Sequence, residues 1–496
     1  MLHSHSPHAA EIKIGNHMHF KIKVPNANAS ETVLSVTSPY DGSVIGTLET
    51  INLAGAKQAL INASSLFNNK KSWLSAAQRI EILKKTAELM QQRFDELVQI
   101  ALSEGGKPLQ DTRIEMNRAI DGVLNCVDLI KNEHGTEIPM QLNTASANRV
   151  AFTRKTPRGV VLAFSAFNHP INLIVHQVAP AIATGCPVIV KPASDTALSA
   201  FAFCELLEEA GLPEGWCQPI AVEDLKVASS MVEDKRVGFF SFIGSGRVGW
   251  MLKSKLSAGT HCSLEHGGAA PVIVAKDADI DDMLPLLAKG GFYHAGQVCV
   301  SVQRVFVHES LFDQVSQGLV DYAQKMKSGN PADESTEIGP LIRHAEVDRI
   351  EEWVNEAISE KAILATGGKR NGNAFYEPTV LLNPDKNSKV SQQEIFGPVI
   401  CVYSYTDMDK AIKQANNVPF SFQASIFTKN IDTALRGWQN LEATAVMIND
   451  HTAFRVDWMP FGGEKESGYG MGGIPFTYRD MQIEKMAVIR SPALKF

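Results

Sequence analysis

The sequence lacks the marks of a stapled or membrane-embedded chain. Its seven cysteines (Cys126, Cys186, Cys204, Cys217, Cys262, Cys299, Cys401) are odd in number, scattered, and contain no C-x-x-C pair. That pattern suggests neither a disulfide framework nor a structural zinc site, and it fits a reducing cytoplasm. No apolar run reaches the roughly 18 residues of a membrane span, and no apolar stretch leads to a small-residue cleavage site at the N-terminus. A net charge of −7, from 47 basic and 54 acidic residues, offers no broad attraction to nucleic acid or to an anionic membrane. Small-molecule chemistry in a soluble, cytoplasmic protein is the expectation. What is present is ample apolar material, 44% of 496 residues, and a length that calls for two or more domains.

Residues 1–31 are polar and carry His3, His5, His8, His17 and His19 without regular ligand spacing, so a frayed arm and no metal are expected. Asp41-Gly42 marks a turn before a short strand. Ile80, Leu83, Ala87, Met90, Phe94, Leu97 and Ala101 recur at helical spacing and predict one helix ending near Gly105-Gly106. A second helix is expected over residues 111–131, where Arg113 and Arg118 either face solvent or reach a substrate anion. Residues 137–156 alternate as extended chain, an arm whose open edge would pair with another subunit.

Strands at 160–164, 187–190 and 237–242 then alternate with helices through 178–183 and over 197–210, the pattern of a parallel, doubly wound α/β sheet. Gly244-Ser245-Gly246-Arg247-Val248-Gly249 matches G-x-G-x-x-G between a strand and a helix, where backbone amides can approach a pyrophosphate. On that reading Glu265, about 20 residues further on, would hold a ribose. Residues 221–233 read as a loop. A helix over 310–327 and strands near 400–403, 423–427 and 446–449 predict a second α/β layer. Cys299, in Gly296-Gln297-Val298-Cys299-Val300-Ser301, is either a small buried hydrophobe or a nucleophile whose thiol of pKa about 8.5 needs a base or cation nearby.

Seven pieces, in order from about residue 35 to the C-terminus, resemble the aldehyde dehydrogenase superfamily. They are Phe167-Asn168-His169-Pro170, the run from Gly185 to Ser194, Phe242-Ile243-Gly244-Ser245, Leu264-Glu265-His266-Gly267-Gly268, Gly296-Gln297-Val298-Cys299, Gln393-Glu394-Ile395-Phe396-Gly397-Pro398 and Pro460-Phe461-Gly462-Gly463. The resemblance implies an α/β fold with a Rossmann-type cofactor domain (residues 1–136 and 158–260), a β-hairpin oligomerisation arm (137–157) and a second α/β catalytic domain (261–464). A C-terminal segment, 465–496, would join the arm in an intersubunit sheet of a dimer or tetramer.

The same resemblance implies oxidation of an aldehyde to a carboxylate with NAD or NADP. Cys299 matches the family nucleophile, Asn168 the side-chain donor to the oxyanion, and Glu265 the base that activates water against the thioester. That role for Glu265 is preferred over ribose binding. Lys191, Ser194, Gly244, Ser245, Val248, Glu394 and Phe396 match the cofactor site. Ser194 stands where many NAD-preferring relatives carry a glutamate, so NADP is expected to be tolerated, with Lys191 as a phosphate partner. Departures are Gly246 for a usual threonine, His266 for a common leucine, and few glycines in residues 221–233.

His169, Val298, Val300, Phe454, Arg455, Trp458 and Phe461 are expected around the substrate tunnel. Arg455, with Arg118, would hold the anionic end of a small polar aldehyde, and Arg455 in a structural ion pair is the alternative. Val298 stands where an arginine is expected in the glyceraldehyde 3-phosphate branch. Two rival functions are a coenzyme A-acylating relative, against which Glu265 argues, and a catalytically silent scaffold, against which the joint presence of Cys299, Glu265 and Asn168 argues.

Overall fold

The computed structural model describes residues 18–494. Its first large sheet runs Gly468–Tyr469, His261–Glu265, Val237–Ile243, Val160–Phe164, Val188–Lys191, Cys217–Pro219, parallel except for the first strand. All five residues of Val160–Phe164 are buried, as an unbroken apolar run in a strand covered on both faces should be. Val161 and Ala163 pack into the core that holds helix Asn172–Thr184, whereas Val160, Leu162 and Phe164 pack into the core beneath helix Leu53–Asn68.

From Val160–Phe164 the chain builds outward to Cys217–Pro219, then crosses back to Val237–Ile243 on the other side. Such a reversal opens a crevice at the carboxyl ends of the strands. Phe164 pairs with both Lys191 and Phe242, and Leu264 with Phe242, so these ends lie level. The loops leaving them carry Asn168, Ser194 and Gly244-Ser245, and Glu265 is itself the last residue of its strand. This sheet therefore extends past residue 260 and takes in a piece of the C-terminal segment.

The second large sheet has seven strands in the order Ile363–Thr366, Thr379–Leu382, Val399–Tyr405, Val302–His308, Ala270–Val274, Gln423–Phe427, Ala445–Ile448, parallel except for the first. Cys299 leads into Val302–His308, and Glu394 and Phe396 lead into its neighbour Val399–Tyr405. A third sheet pairs Gln482–Arg490 with Arg149–Pro157 over nine residues, and the latter with Glu137–Ile138. The tail thus joins the arm within the chain, as the sequence reading placed them together.

Three further expectations change. His3, His5, His8 and His17 lie outside the described residues, but His19 is not frayed: it sits in strand Met18–Phe20 with Nδ1 2.9 Å from Thr47 Oγ1. The long amphipathic stripe is two helices, Ala76–Gln92 and Phe94–Gly105, broken at Arg93, so that the second can pack on Leu109–Lys131 and Leu198–Glu209. Residues 221–233 contain a helix, Leu225–Val232, capped by Asp224 Oδ1 accepting from Lys226 N at 2.8 Å. Among the described residues no helix is long and apolar enough to cross a membrane.

A buried ion pair anchors the approach to the crevice. Lys107 Nζ meets Glu115 Oε2 at 2.6 Å with both side chains 1% exposed, and Glu115 Oε1 accepts from Ile171 N and Asn172 N at 3.0 and 3.1 Å. The pair fixes the start of helix Asn172–Thr184, immediately after Asn168. Removing one partner of such a pair leaves a buried charge uncompensated, so Lys107→Met is expected to lower unfolding free energy by about 3–5 kcal/mol. Urea denaturation followed by circular dichroism measures this, and a loss below about 1 kcal/mol contradicts the assignment.

Candidate active site

The turn before Cys299 is held in an unusual conformation. His294, Ala295 and Gly296 have φ of 50°, 53° and 70°, three left-handed residues in succession. Only the third is glycine, and it has to be: a Cβ at Gly296 would run into the carbonyl of Gly397. That contact brings the loop of Glu394 and Phe396 against the cysteine loop. Gln297 locks the turn, its Oε1 accepting from Ile342 N at 3.0 Å and its Nε2 donating to the His294 and Pro340 carbonyls at 3.3 Å. The Gln297 carbonyl in turn accepts from Asn168 Nδ2 at 2.9 Å. One amide hydrogen of Asn168 thus ties the first sheet to the cysteine loop, leaving the other available to a ligand.

Val298 and Val300 are buried with Phe422 and Phe461, and Cys299 between them is partly accessible. Burial pushes its thiol up to about 12, with Arg455 pulling down and the Glu394 and Glu265 carboxylates pushing further up. At neutral pH the group is a thiol, so a base must take its proton before it can attack. Glu265, 8% exposed, is that candidate, its pKa raised by burial and held back by Arg455. Glu394 is raised to about 8, by burial against the pull of Arg349, and its buried Oε1 has no partner. Gly472 and Gly267 leave the volume that these two carboxylates fill.

Arg455 lies with its guanidinium 3.5 Å from the centre of the Phe461 ring and donates from Nη2 to His176 Nδ1 at 3.2 Å. Its Nε is buried without a partner. Arg118 stands differently. Its Nε and Nη2 fork onto Asp457 Oδ2 and Oδ1 at 3.0 and 2.8 Å, so much of its charge is already matched. Asp457 also accepts from His176 Nε2 at 2.7 Å and Asn172 Nδ2 at 3.1 Å, and these donors hold its carboxyl far below the usual range against the opposing effect of burial. Asp457, His176 and Asn172 are not singled out by sequence reasoning. A signal was there: Asn172 and His176 are four apart on one helix, and Asp457 follows Arg455 by two. Phe454 and Trp458 are exposed, at 41% and 55%.

The cofactor candidates gather along the first sheet's carboxyl edge. Lys191 is lowered to about 8 by burial, with Asp195 opposing, and its Nζ donates to the Pro192 carbonyl at 3.0 Å. Ser194 is exposed at the start of the turn Ser194–Thr196. Ser245 caps helix Gly246–Lys253 without a side-chain bond to the helix, so its first amides are not taken by the cap. Val248 is partly buried, packed against the apolar core that contains Leu252. His266 accounts for its departure from leucine: Nδ1 donates to the Gly244 carbonyl at 2.8 Å, and the ring lies between Phe242 and Trp250. Phe396, with φ of 49°, meets Phe167 edge-on at 5.8 Å. Free helix-start amides, a lysine and the unpartnered acceptor of Glu394 suit the phosphates and hydroxyls of a dinucleotide.

The chain is 39% identical over 447 residues to 3-sulfolactaldehyde dehydrogenase from Priestia aryabhattai, covering 90% of this chain and 91% of that protein. Aldehyde dehydrogenase 21 from Physcomitrella patens, solved in complex with the reaction product succinate, superposes with a TM-score of 0.92 at 34% identity, over 96% of this chain and 99% of that one. Glyceraldehyde-3-phosphate dehydrogenase GapN from Methanocaldococcus jannaschii, solved with NADP, gives 0.88 at 33% identity, over 94% and 100%. Residues 26–486 match the aldehyde dehydrogenase family, and the chain belongs to that family.

Proposed function

We propose that this enzyme oxidises a small aldehyde bearing an anionic group to the corresponding carboxylate, with NAD or NADP. The observation that carries the substrate class is Arg455, a guanidinium close enough to Cys299 and Glu265 to shift both, stacked on Phe461, with a buried Nε and no carboxylate hydrogen-bonded to it. A buried cation so placed calls for an anion from the ligand. Relatives named for sulfolactaldehyde and lactaldehyde, and a solved neighbour holding succinate, support a short, oxygen-rich substrate.

In this reading Glu265 takes the Cys299 proton and the thiolate adds to the aldehyde carbon, forming a thiohemiacetal whose oxygen is held by the free Asn168 amide hydrogen. Bound NAD(P) supplies the two-electron oxidant, and the residues that would hold it are Lys191, Ser194, Gly244, Ser245, Val248, Glu394 and Phe396. The oxidised adduct is a thioester on Cys299; Glu265 passes the thiol's proton on to solvent and, ionised again, takes a proton from the water that attacks the thioester, releasing the acid and the Cys299 thiolate, which is reprotonated. Exposed Phe152, Ile483 and Met486 on the third sheet support association into a dimer or tetramer.

Three measurements test this. Cys299→Ala is expected to abolish NAD(P)H formation, while Glu265→Gln is expected to slow both the single-turnover burst and the steady state, the latter about 10²–10⁴-fold. A steady-state rate in Glu265→Gln within threefold of the parent would remove its assigned role.

Arg455→Ala is expected to lower kcat/KM for succinate semialdehyde relative to butanal by about tenfold or more, since an unmatched anion then enters a buried site. The same variant has a pH signature. Glu265 works as a base only when ionised, so the rate rises with pH through its pKa. Arg455 pulls that pKa down, so its removal moves the acidic limb of kcat to higher pH. An unchanged ratio with an unchanged limb contradicts the reading.

Ser194 offers no carboxylate to repel a 2′-phosphate, and neighbouring Asp195 is matched by Arg343, whose Nε donates to it at 3.1 Å. Ser194→Glu is therefore expected to lower kcat/KM for NADP relative to NAD by about tenfold or more. Equal cofactor ratios in parent and variant would exclude Ser194 as the discriminating position.

A further inference from the structure

Arg455 is held by a neutral group, although carboxylates lie near enough to attract it. Asp457 and Glu265 both act on its charge, yet its side-chain hydrogen bond goes to His176 Nδ1. The imidazole stands between the guanidinium and Asp457, donating from Nε2 to Asp457 Oδ1 at 2.7 Å and accepting at Nδ1 from Arg455 Nη2 at 3.2 Å. This arrangement admits one tautomer. Asp457 is an acceptor only, so Nε2 carries the hydrogen, and Arg455 is a donor only, so Nδ1 carries the lone pair.

The charges around this chain are uneven. Asp457 is matched by the fork of Arg118 and further satisfied by Asn172. Arg455 is left as a cation in a fixed orientation whose charge no partner cancels. A direct bond to Asp457 or Glu265 would orient it equally well but would neutralise it, and an arginine already paired with a buried carboxylate attracts a ligand anion weakly.

We propose that His176 is a positioning residue for substrate selection: as a neutral spacer between Asp457 and Arg455 it keeps the Arg455 guanidinium aimed and unneutralised for the anionic end of the aldehyde. This rests on Arg455 as the anion-binding group. The burial of His176, at 3% exposure, fits the role, because burial together with Arg455 moves its pKa down to about 4 and the ring stays uncharged over the working range. Leucine at this position offers no acceptor, and Arg455 is then free to swing onto Asp457 or Glu265. Glutamine offers an acceptor and a donor in one neutral group and can stand in for the imidazole.

The experiment compares kcat/KM for succinate semialdehyde and for butanal in the parent, His176→Leu, His176→Gln and Arg455→Ala, with the Kd of succinate measured by calorimetry. His176→Leu is expected to lower the ratio of charged to neutral substrate about tenfold or more, chiefly through the KM of the charged aldehyde, and to weaken succinate binding in parallel. His176→Gln is expected to retain the ratio within about threefold of the parent. If Arg455→Ala loses the ratio while His176→Leu keeps it, the spacer role of His176 is overturned and the anion-binding role of Arg455 stands. If neither variant moves it, both are overturned. A measurement on the unmutated protein serves where His176→Leu does not fold: nitrogen NMR of histidine-labelled enzyme at pH 7, with His176→Gln assigning the resonance. A neutral ring protonated at Nε2 supports the proposal, and an imidazolium or the Nδ1–H tautomer overturns it.

Discussion

A carboxylate removed from water has to be matched by donors or give up its charge, and the cleft between the two large sheets holds three that meet this demand differently. Asp457 is matched by Arg118, His176 and Asn172 and stays ionised. Glu265 has a single cation in its neighbourhood, Arg455, and its pKa rises. Glu394 is raised to about 8 by burial, against the pull of Arg349 and of the Gly268 backbone N–H. The order follows the donors each carboxylate can reach, since burial pushes all three in the same direction. One chain thereby obtains a permanent anion in Asp457, a carboxyl raised by burial in Glu265, and a Glu394 oxygen without a partner.

The same arrangement sets the protonation of the cysteine. With Glu265 and Glu394 both pushing its pKa upward and only Arg455 pulling down, Cys299 holds its proton. A thiol kept protonated is protected from adventitious oxidation and alkylation, which attack the thiolate. In the proposed mechanism, proton transfer to Glu265 couples the birth of the nucleophile to the group that later activates water.

Much of the frame was legible in the sequence because strands buried on both faces are written as short, unbroken apolar runs. Val160–Phe164, Gln423–Phe427 and Val237–Ile243 fall where those runs lie. The missed features share a different cause. The break at Arg93 interrupts a hydrophobic stripe that continues in phase, so periodicity has nothing to report. The helix Leu225–Val232 spans barely two turns, and its apolar positions, Val227, Ala228, Met231 and Val232, are too few to establish a period. In the site, residue types that resemble family motifs were visible one at a time, but their charge states were not. Arg118 and Asp457 are 339 residues apart in sequence, and nothing local to either announces that they meet.

The left-handed turn at residues 294–296 shows why such a site needs a large fold behind it. Two non-glycine residues in succession with φ near 50° carry a conformational penalty on the order of 1–3 kcal/mol each, and an isolated loop would relax. Here it cannot. Gln297 is bonded on both sides of its amide, Gly296 is pressed against Gly397, and the Gln297 carbonyl is held by Asn168 from the opposite sheet. Each contact comes from a different part of the chain, so only the assembled protein over-determines the turn. The result is a cysteine whose position is set by both sheets at once, with the donor for the developing oxyanion arriving on the hydrogen-bond partner of its own loop. Cys299 and Asn168, the proposed nucleophile and oxyanion donor, are thereby placed by a single constraint, and a shift of one sheet against the other disturbs both together.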